Sequence, residues 1–342
     1  MHQEASSIAF IQSLFQKSCN SGAIKKETPN KIEQLAGDAS RRRYYRIITS
    51  SKTYVVCLDR PFHGEDYPFL EIQSFLSKIG LRVPLIYDSD AKSGYLLEED
   101  LGDRTLLNYL AGFTPQKELN TYKECVDAVI KYQSYRFNEN HYSFQNLNFD
   151  AKKFNEEIDF SIEHFFNFIT QNDTKQWKRE IEQIQVELKK VNDLICEKSK
   201  VFTHRDFHSR NIMAKNHELA IIDFQDARLG IPQYDLVSLI DDCYYEIAHA
   251  NKEDLKKYYF EHLFQIVDDQ KNYTDFIYFY DLVCIQRTFK VLGTFSSLFN
   301  LKSKFQYLKY IGSAFEKLRK TMDKYTEFHS LKKNLASIYY GN

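Results

Sequence analysis

The sequence has few glycines and prolines, almost no net charge and no long hydrophobic run. Its 342 residues include only 11 glycines and 6 prolines but 27 phenylalanines and 24 tyrosines, which favours a helix-rich fold with aromatic core residues. The formal net charge of −1 gives no electrostatic case for a nucleic-acid partner. No apolar run approaches the roughly 18 residues of a membrane-spanning helix, and the N-terminus has no signal-like pattern. We therefore expect a soluble cytoplasmic protein with no nucleic-acid or membrane partner.

Cysteine spacings that would indicate a disulfide framework or a zinc site are also missing. The six cysteines are scattered along the chain, form no C-x-x-C pair and have no histidines at zinc-site spacing. We expect them to be buried, reduced thiols. The hydrophobic fraction of 43% and the charged fraction of 27% are typical of a globular protein. A chain of this length is too long for one ordinary core, so two lobes are predicted.

One polar stretch between two apolar runs carries the pattern of a phosphotransfer loop. Residues 204–211 read His-Arg-Asp-Phe-His-Ser-Arg-Asn, which is the H-R-D-x-x-x-x-N pattern of a kinase catalytic loop. A third apolar run then ends in Asp223, and residues 223–225 read Asp-Phe-Gln where kinases carry D-F-G. The combination of both patterns in this order predicts a kinase.

Phosphoryl transfer explains these residue types. One carboxylate must meet the attacking hydroxyl, and we assign this role of general base or orienting group to Asp206. Hard cations prefer oxygen ligands, so Asn211 and Asp223 are the predicted ligands of Mg²⁺. His204 is expected to support the loop by hydrogen bonding. His208 is a candidate substrate contact, with a structural role as the alternative.

The predicted elements have the order of a kinase-like N-terminal lobe followed by a helical C-terminal lobe. An amphipathic helix is predicted at 7–17 and a second at 65–79, with strands at 31–37, 44–49, 53–59, 84–87 and 94–98. Helices follow at 115–137, 150–170, 173–199, 234–248, 253–268, 273–298 and 305–325, with Asp150 and Asp173 as predicted N-caps. The fold class is therefore α+β and two-lobed. The lobes are assigned to 1–100, which binds the nucleotide, and 101–342, which carries the catalytic and acceptor residues.

The predicted nucleotide lobe departs from the general kinase pattern in two ways. The loop at 37–43 holds only Gly37 of the usual G-x-G-x-x-G, although the hydroxyl of Ser40 could donate to phosphate. The strand at 53–59 has no lysine at the V-A-I-K position, and its nearest cations are Lys52 and Arg60. Arg43 or Arg46 would then meet the phosphate charge.

A basic segment at 281–304 gives information about the acceptor. A site for a polycation should be lined by carboxylates, whereas a basic segment suits a neutral or carboxylate-bearing sugar. A solvated cationic helix face is the alternative, and Asp241 and Asp242 on the preceding helix argue the other way. The segment contains Asp281, Arg287, Lys290, Lys302 and Lys304.

Several motifs together resemble the aminoglycoside phosphotransferase and choline kinase superfamily, and within it the bacterial anomeric N-acetylmuramate/N-acetylglucosamine kinases. The matching pieces are residues 37–46, 59–61, 65–66, 68–69, 97–103, 204–211, 222–227, 230–236 and 286–293. The resemblance implies a protein-kinase-like fold, ATP and Mg²⁺ as cofactors, and transfer to an anomeric hydroxyl in cell-wall recycling. That subfamily also lacks the strand lysine.

With this resemblance, candidate residues can be assigned for binding the nucleotide and the acceptor. Glu98 and Asp100 join Gly37, Ser40 and Arg43 as candidate nucleotide-binding residues, and Arg287 and Lys290 join His208 as candidate acceptor-binding residues. Two alternatives stay open: another acceptor within the superfamily, such as an aminoglycoside or an amino alcohol, and a catalytically weak kinase-like binding protein. The missing lysine and the thinned glycine loop motivate the second alternative.

Overall fold

The chain divides into two units, and each unit consists of two separate segments of the chain. The computed structural model describes residues 2–35, 42–63, 67–137, 142–263, 266–270 and 272–341. The first unit is Met1–Leu106 with Ile212–Gln225, and the second is Leu107–Asn211 with Asp226–Asn342. The predicted boundary at residue 100 placed residues 212–225 in the second lobe. In the structure they belong to the first unit.

The described residues form helices α1 to α11 and strands β1 to β9, numbered in chain order. The helices are His2–Asn20, Pro68–Lys78, Leu106–Tyr109, Pro115–Gln133, Ala151–Ile169, Lys178–Cys196, Gln233–Ile240, His249–Leu263, Tyr273–Lys302, Leu308–Met322 and His329–Tyr340. The strands are Lys31–Gln34, Arg43–Ile48, Thr53–Leu58, Ile86–Asp90, Tyr95–Glu99, Val201–Thr203, Ile212–Lys215, Glu218–Ile221 and Arg228–Gly230.

The first unit is built on a five-stranded antiparallel sheet with the order β1-β2-β3-β5-β4. One face packs apolar side chains of β3 and β5 against α1, where Ile11 and Phe15 are fully buried. Because side chains alternate along a strand, the register partners Arg46, Val55 and Glu98 lie together on the other face. The sheet therefore separates an apolar core from a face that carries charged groups.

Strands β7 and β8 form a hairpin that completes the first unit. Met213 and Ala220 pack with Leu101 in a small buried cluster, and the backbone nitrogen of Ala214 donates to the carbonyl of Arg104 at 2.7 Å. All five predicted strands of this unit are present, although the one predicted at 84–87 begins at residue 86. The part of the prediction that falls on 36–41 and 64–66 lies outside the described residues.

The second unit is mainly helical, and its longest helix, α9, has 30 residues. Asp150 caps α5 as predicted, because its carboxylate accepts from the backbone nitrogen of Lys153 at 2.7 Å. The predicted cap at Asp173 is wrong, since a turn and a short 3₁₀ segment precede α6, which begins at Lys178. Helix α4 also ends earlier than predicted, at Gln133.

The structure differs from the predicted helices at two further places. Helix α7 ends at Ile240 rather than at 248, because the carboxylate of Asp242 accepts from the backbone nitrogen of Tyr244 at 2.8 Å and so forms a turn. The C-terminal helix α11 was not predicted, yet Leu331, Leu335 and Ile338 are fully buried. The predicted helix-rich second lobe is otherwise confirmed.

The cysteines are free thiols, four of them buried and two, Cys196 and Cys243, partly buried. Among the described residues, no helix combines the length and the apolar character needed to cross a membrane.

The close packing of α5 against α9 predicts opposite outcomes for two glycine substitutions. A Cβ atom at Gly293 of α9 would clash with the backbone and side chain of Ser161 on α5. Gly293→Ala should therefore destabilise the protein by about 1–3 kcal/mol through overpacking. A Cβ at Gly312 of α10 would meet only the hydroxyl of Tyr339, at 3.8 Å.

The matched control, Gly312→Ala, should stabilise the protein by about 0.5–1 kcal/mol, because alanine loses less backbone entropy in a helix. Urea unfolding of both variants gives the two free-energy changes. Equal effects at the two positions would contradict the packing described for α5 and α9.

Candidate active site

The loop at 204–211 is held at its start by the buried carboxylate of Asp235. This carboxylate accepts from the backbone nitrogens of His204 at 2.7 Å and Arg205 at 3.0 Å, and from the hydroxyl of Tyr132 at 2.7 Å. Burial raises the pKa of Asp235, while these hydrogen bonds oppose the shift. Arg205 has a positive φ of 82°, a strained conformation that the clamp by Asp235 maintains.

A second buried carboxylate holds the middle of the same loop. Asp242 accepts from the backbone nitrogen of Ser209 at 3.0 Å and from its hydroxyl. The amide nitrogen of Asn211 donates to the carbonyl of Asp206 at 2.9 Å, which closes the loop on itself. Sequence reasoning missed Asp235 and assigned no anchoring role to Asp242. The stretch 230–236, which contains Asp235, was the available signal.

Asp206 lies among cations that come from helix α9 and from its own loop. Its Oδ1 atom is 3.5 Å from a guanidinium nitrogen of Arg287 and 3.5 Å from the ammonium of Lys290. The side chain of Asp206 is 32% exposed, so a ligand can reach it. Arg205 is the third cation whose charge acts on Asp206, and it pairs with another buried carboxylate, Glu157, at 3.1 Å. The balance of charge here is positive.

These charges determine the ionisation of the site. Burial alone would raise the pKa of Asp206, but Lys290, Arg205 and Arg287 hold it well below its ordinary value. Burial would lower the pKa of Lys290, yet Asp206, Tyr234 and Glu157 raise it. At neutral pH the site therefore contains a carboxylate that accepts hydrogen bonds and an ammonium group that donates them. Such an arrangement can orient a hydroxyl and bind an anion.

The basic segment contributes only part of its charge to this site. Lys302 is exposed, and Asp281 forms an ion pair with Lys324 at 2.8 Å. The two aspartates that argued for an acidic site are engaged elsewhere: Asp242 holds the loop, and Asp241 pairs with Lys252 at 3.1 Å. The structure thus brings Arg287 and Lys290 to Asp206.

His208 and Arg210 lie in an aromatic cluster beside the loop. The ring of His208 contacts Tyr244 at 5.2 Å between centroids, and the guanidinium of Arg210 lies 4.8 Å from the centre of the same ring. Arg210 also donates to the hydroxyl of Tyr307 at 3.2 Å. These contacts explain the conformation of Arg210 without a ligand, and the acceptor role of His208 stays a prediction.

The two predicted metal ligands belong to different units. In the second unit, Asn211 uses its amide nitrogen as a donor, so its oxygen is the atom suited to a hard cation. In the first unit, Asp223 has a positive φ of 63°, and its carboxylate accepts from the side chain of Gln225 at 2.9 Å. Phe224 is fully buried and packs on Phe69 of α2, which fixes the backbone next to Asp223.

The predicted nucleotide-binding residues have different environments. Gly37 and Ser40 lie outside the described residues. Arg43 is exposed and donates to the hydroxyl of Ser7 on α1 at 3.1 Å. Glu98 is buried, and this burial raises its pKa to about 8 despite the opposing charge of Arg42.

Asp100 is buried beside Arg46, which donates to both of its oxygens at 2.7 and 3.0 Å. Burial would raise the pKa of Asp100, but the hydrogen bonds from Arg46 contribute to keeping it below the ordinary value. Arg46 pairs with Asp103 as well, at 2.9 Å. Two carboxylates thus neutralise Arg46 within the first unit.

Comparisons with known sequences point to one family. The sequence pattern described as the phosphotransferase enzyme family (APH) matches residues 31–265. Proteins named N-acetylmuramate/N-acetylglucosamine kinase are similar over most of their length. The protein from Pseudomonas aeruginosa is 27% identical over 334 residues, covering 92% of this chain and 90% of its own. The one from Neisseria meningitidis is 28% identical over 308 residues, covering 86% and 87%.

Solved structures confirm the predicted fold class. An ADP-bound aminoglycoside phosphotransferase, APH(2'')-Ib, superposes with a TM-score of 0.60 at 16% identity and covers 96% of this chain and 98% of its own. Choline kinase from Cryptosporidium parvum superposes with a TM-score of 0.59 at 14% identity, with the same coverage. This chain therefore has the kinase-like fold with a sheet-based N-terminal part and a helical C-terminal part.

The environment of Asp206 predicts the effect of removing its charge. Asp206→Asn should lower kcat by about 10²–10⁴-fold, the range for a positioned acid–base group, because the amide cannot take the proton of the acceptor. Nucleotide affinity should change little, since the role predicted for Asp206 is on the acceptor hydroxyl. Steady-state kinetics and nucleotide titrations measure the two effects. Asp193→Asn on the exposed face of α6 is the control, and near-normal turnover of Asp206→Asn would remove the residue from the mechanism.

Proposed function

We propose that this chain, which belongs to the phosphotransferase enzyme family (APH), transfers phosphate from ATP to the anomeric hydroxyl of N-acetylated amino sugars. The observation that carries the proposal is the ionised Asp206, held in a pre-formed loop and flanked by Arg287 and Lys290. The names of the relatives from P. aeruginosa and N. meningitidis supply the acceptor class, N-acetylmuramate and N-acetylglucosamine. We place the reaction in the cytoplasm, as a step of cell-wall recycling.

Asp206 would act mainly by orienting the acceptor. The sugar oxygen attacks the γ-phosphorus, the bond to the bridging oxygen of ADP breaks, and the hydroxyl proton passes to Asp206 and then to solvent. A carboxylate with a lowered pKa is a weak base, so proton transfer would come late, after most of the bond to the leaving group has broken. An anomeric hydroxyl suits this base because it is more acidic than the other ring hydroxyls.

The cations next to Asp206 favour this acceptor over the alternatives. Arg287 is 7% exposed and donates to the carbonyl of Arg205 at 3.2 Å, so its charge has a fixed position. Aminoglycosides and choline are cationic and would meet like charges at this site. A neutral sugar meets no such penalty, and a sugar with a carboxylate gains a charge-assisted hydrogen bond.

A catalytically weak binding protein is the remaining alternative from another class. The anchoring of the loop by Asp235 and Asp242 argues against it, because these buried carboxylates hold the backbone on either side of Asp206. Turnover of ATP with an amino-sugar acceptor distinguishes the two functions.

Magnesium fits the donor set that the chain offers. Asn211 provides an amide oxygen and Asp223 a carboxylate, both of the kind that this cation prefers. When bound, the metal supplies positive charge that neutralises the phosphate oxygens of the nucleotide. The other ligands would come from the nucleotide and water.

Removing either proposed ligand should weaken metal-dependent nucleotide binding. Asp223→Ala and Asn211→Ala each delete one oxygen ligand, so a higher Mg²⁺ concentration should be needed for half-maximal ADP binding. Calorimetric titration of Mg²⁺ at a fixed ADP concentration measures the change in this Mg²⁺ concentration without any turnover. Asp88→Ala, in the same unit as Asp223, is the control. Wild-type metal saturation in both ligand variants would show that these residues do not bind the metal.

The position of Lys290 predicts the acceptor selectivity. N-acetylmuramate has a lactyl carboxylate that N-acetylglucosamine lacks, so Lys290→Ala should reduce kcat/KM for the first sugar about 10- to 100-fold more than for the second. Kanamycin should not be phosphorylated. Lys302→Ala, at the exposed end of α9, serves as the control.

Kinetics with both sugars and both variants give the selectivity ratio. Equal losses for the two sugars in Lys290→Ala would mean that the ammonium group positions Asp206 or meets the transferred phosphate. Turnover with kanamycin alone would contradict the proposed acceptor class.

A further inference from the structure

Strand β3 lacks the lysine that meets nucleotide phosphates in kinases, which raises the question of which other cation of the first unit contacts them. The three arginines considered from the sequence have other environments. Arg43 is exposed and contacts Ser7 of α1, Arg46 is neutralised by Asp100 and Asp103, and Arg60 is exposed. Among the described residues, no carboxylate is seen to fix Arg43 or Arg60, and Arg46 is shared between two carboxylates.

Arg42, immediately before β2, has a different environment. Its Nε donates to Oδ2 of Asp59 at 2.9 Å, and the two side chains are only 12% and 18% exposed. Asp59 also accepts from the hydroxyl of Tyr67 at 2.5 Å and from the backbone nitrogen of Arg60 at 2.8 Å. The carboxylate is therefore fixed by several donors and in turn fixes the guanidinium. A lysine paired with a glutamate is held in a kinase by the same physical principle.

Aromatic contacts connect Arg42 to Phe224, which directly follows Asp223. The guanidinium carbon lies 5.8 Å from the ring centre of Tyr67 and 5.5 Å from that of Phe69. Phe69 packs on Phe224 at 4.9 Å, and Phe224 directly follows Asp223. A continuous set of contacts within the first unit thus leads from Arg42 to the carboxylate proposed to bind the metal.

A second, independent observation indicates that a polar ligand belongs on this side of the sheet. Glu98 is 5% exposed, and its Oε1 atom has no hydrogen-bond partner within the part of the chain that the structure describes. An unpartnered buried carboxyl oxygen costs free energy and requires an explanation. Glu98 lies on the sheet face opposite α1, and Arg42 is the charged group that influences it most. A bound polar ligand would supply the missing partner.

We propose that Arg42, held by Asp59, is the cation that binds the phosphate chain of the nucleotide in place of the lysine that β3 lacks. The guanidinium carries five N–H donors in a planar fork, so phosphate oxygens can bind it alongside the carboxylate of Asp59 and the hydroxyl of Tyr44, both of which already bond it. The rings of Tyr67 and Phe69 lie beside the guanidinium, 5.8 and 5.5 Å from its carbon atom. This inference depends on ATP as the phosphate donor and is independent of which acceptor is used.

Equilibrium binding of ADP and adenosine tests the assignment without any turnover. Arg42→Gln keeps a polar group that can bond Asp59 but removes the charge, so ADP affinity should fall about 10- to 100-fold. Adenosine has no phosphate, and its affinity should stay within about twofold. Arg42→Lys, which keeps the charge, should bind ADP more tightly than Arg42→Gln. Lys31→Ala on β1, an exposed cation of the same unit, is the control.

Two results for Arg42→Gln would overturn the proposal. An equal loss of affinity for ADP and for adenosine would make Arg42 structural, and an unchanged affinity for ADP would show that Arg42 does not bind the phosphates. A selective loss of ADP in Arg43→Ala with none in Arg42→Gln would assign the role to Arg43 instead. If Arg42→Gln does not fold, Asp59→Asn carries the same test, because the arginine then loses the group that positions it. The same selective loss of ADP is expected there, and its absence would contradict the proposal. Failure of sugar phosphorylation alone would leave these binding results unaffected.

Discussion

The charge on Asp206 is the interaction on which the rest of the site depends. One carboxylate shares a small volume with Arg205, Arg287 and Lys290, and their attraction exceeds the cost of its burial. Removing the carboxylate would leave cations facing one another, with Glu157 as the other buried negative charge. The same balance that keeps Asp206 ionised also makes the site attractive to anions and unfavourable to polycations. In the proposed function, catalysis and acceptor preference would therefore have a common electrostatic origin.

Helix packing and loop anchoring maintain this arrangement. Arg287 and Lys290 extend from α9, and the close contact of Gly293 with Ser161 fixes α9 against α5, which carries Glu157. Asp235 and Asp242 hold the loop backbone through its nitrogens, so the position of Asp206 does not depend on a bound substrate. Pre-positioned charge of this kind is the main contribution a protein can make to phosphoryl transfer. The first unit uses the same principle, because Asp59 fixes Arg42.

Fold and site were predictable from the sequence where a residue motif or a hydrophobic periodicity is contained within a short segment. The loop at 204–211 and the strands of the first unit were predicted because their patterns depend on near neighbours. The partners of these elements depend on contacts between distant segments, which explains why the anchoring role of Asp235 and the Arg42–Asp59 pair were not found. Asp173 failed as a helix cap because an aspartate after a turn has the same local signature as a cap. Arg287 and Lys290 were found only through a local excess of positive charge, and their distance to Asp206 required the structure.

The proposed acceptor site accounts for a phosphotransferase that adds phosphate to the most acidic hydroxyl of an amino sugar. Phosphorus NMR of the product formed from ATP and N-acetylglucosamine tests this claim most directly. The phosphorus signal should couple to the anomeric proton. Coupling to the two protons of C6 would identify a 6-phosphate and contradict the account.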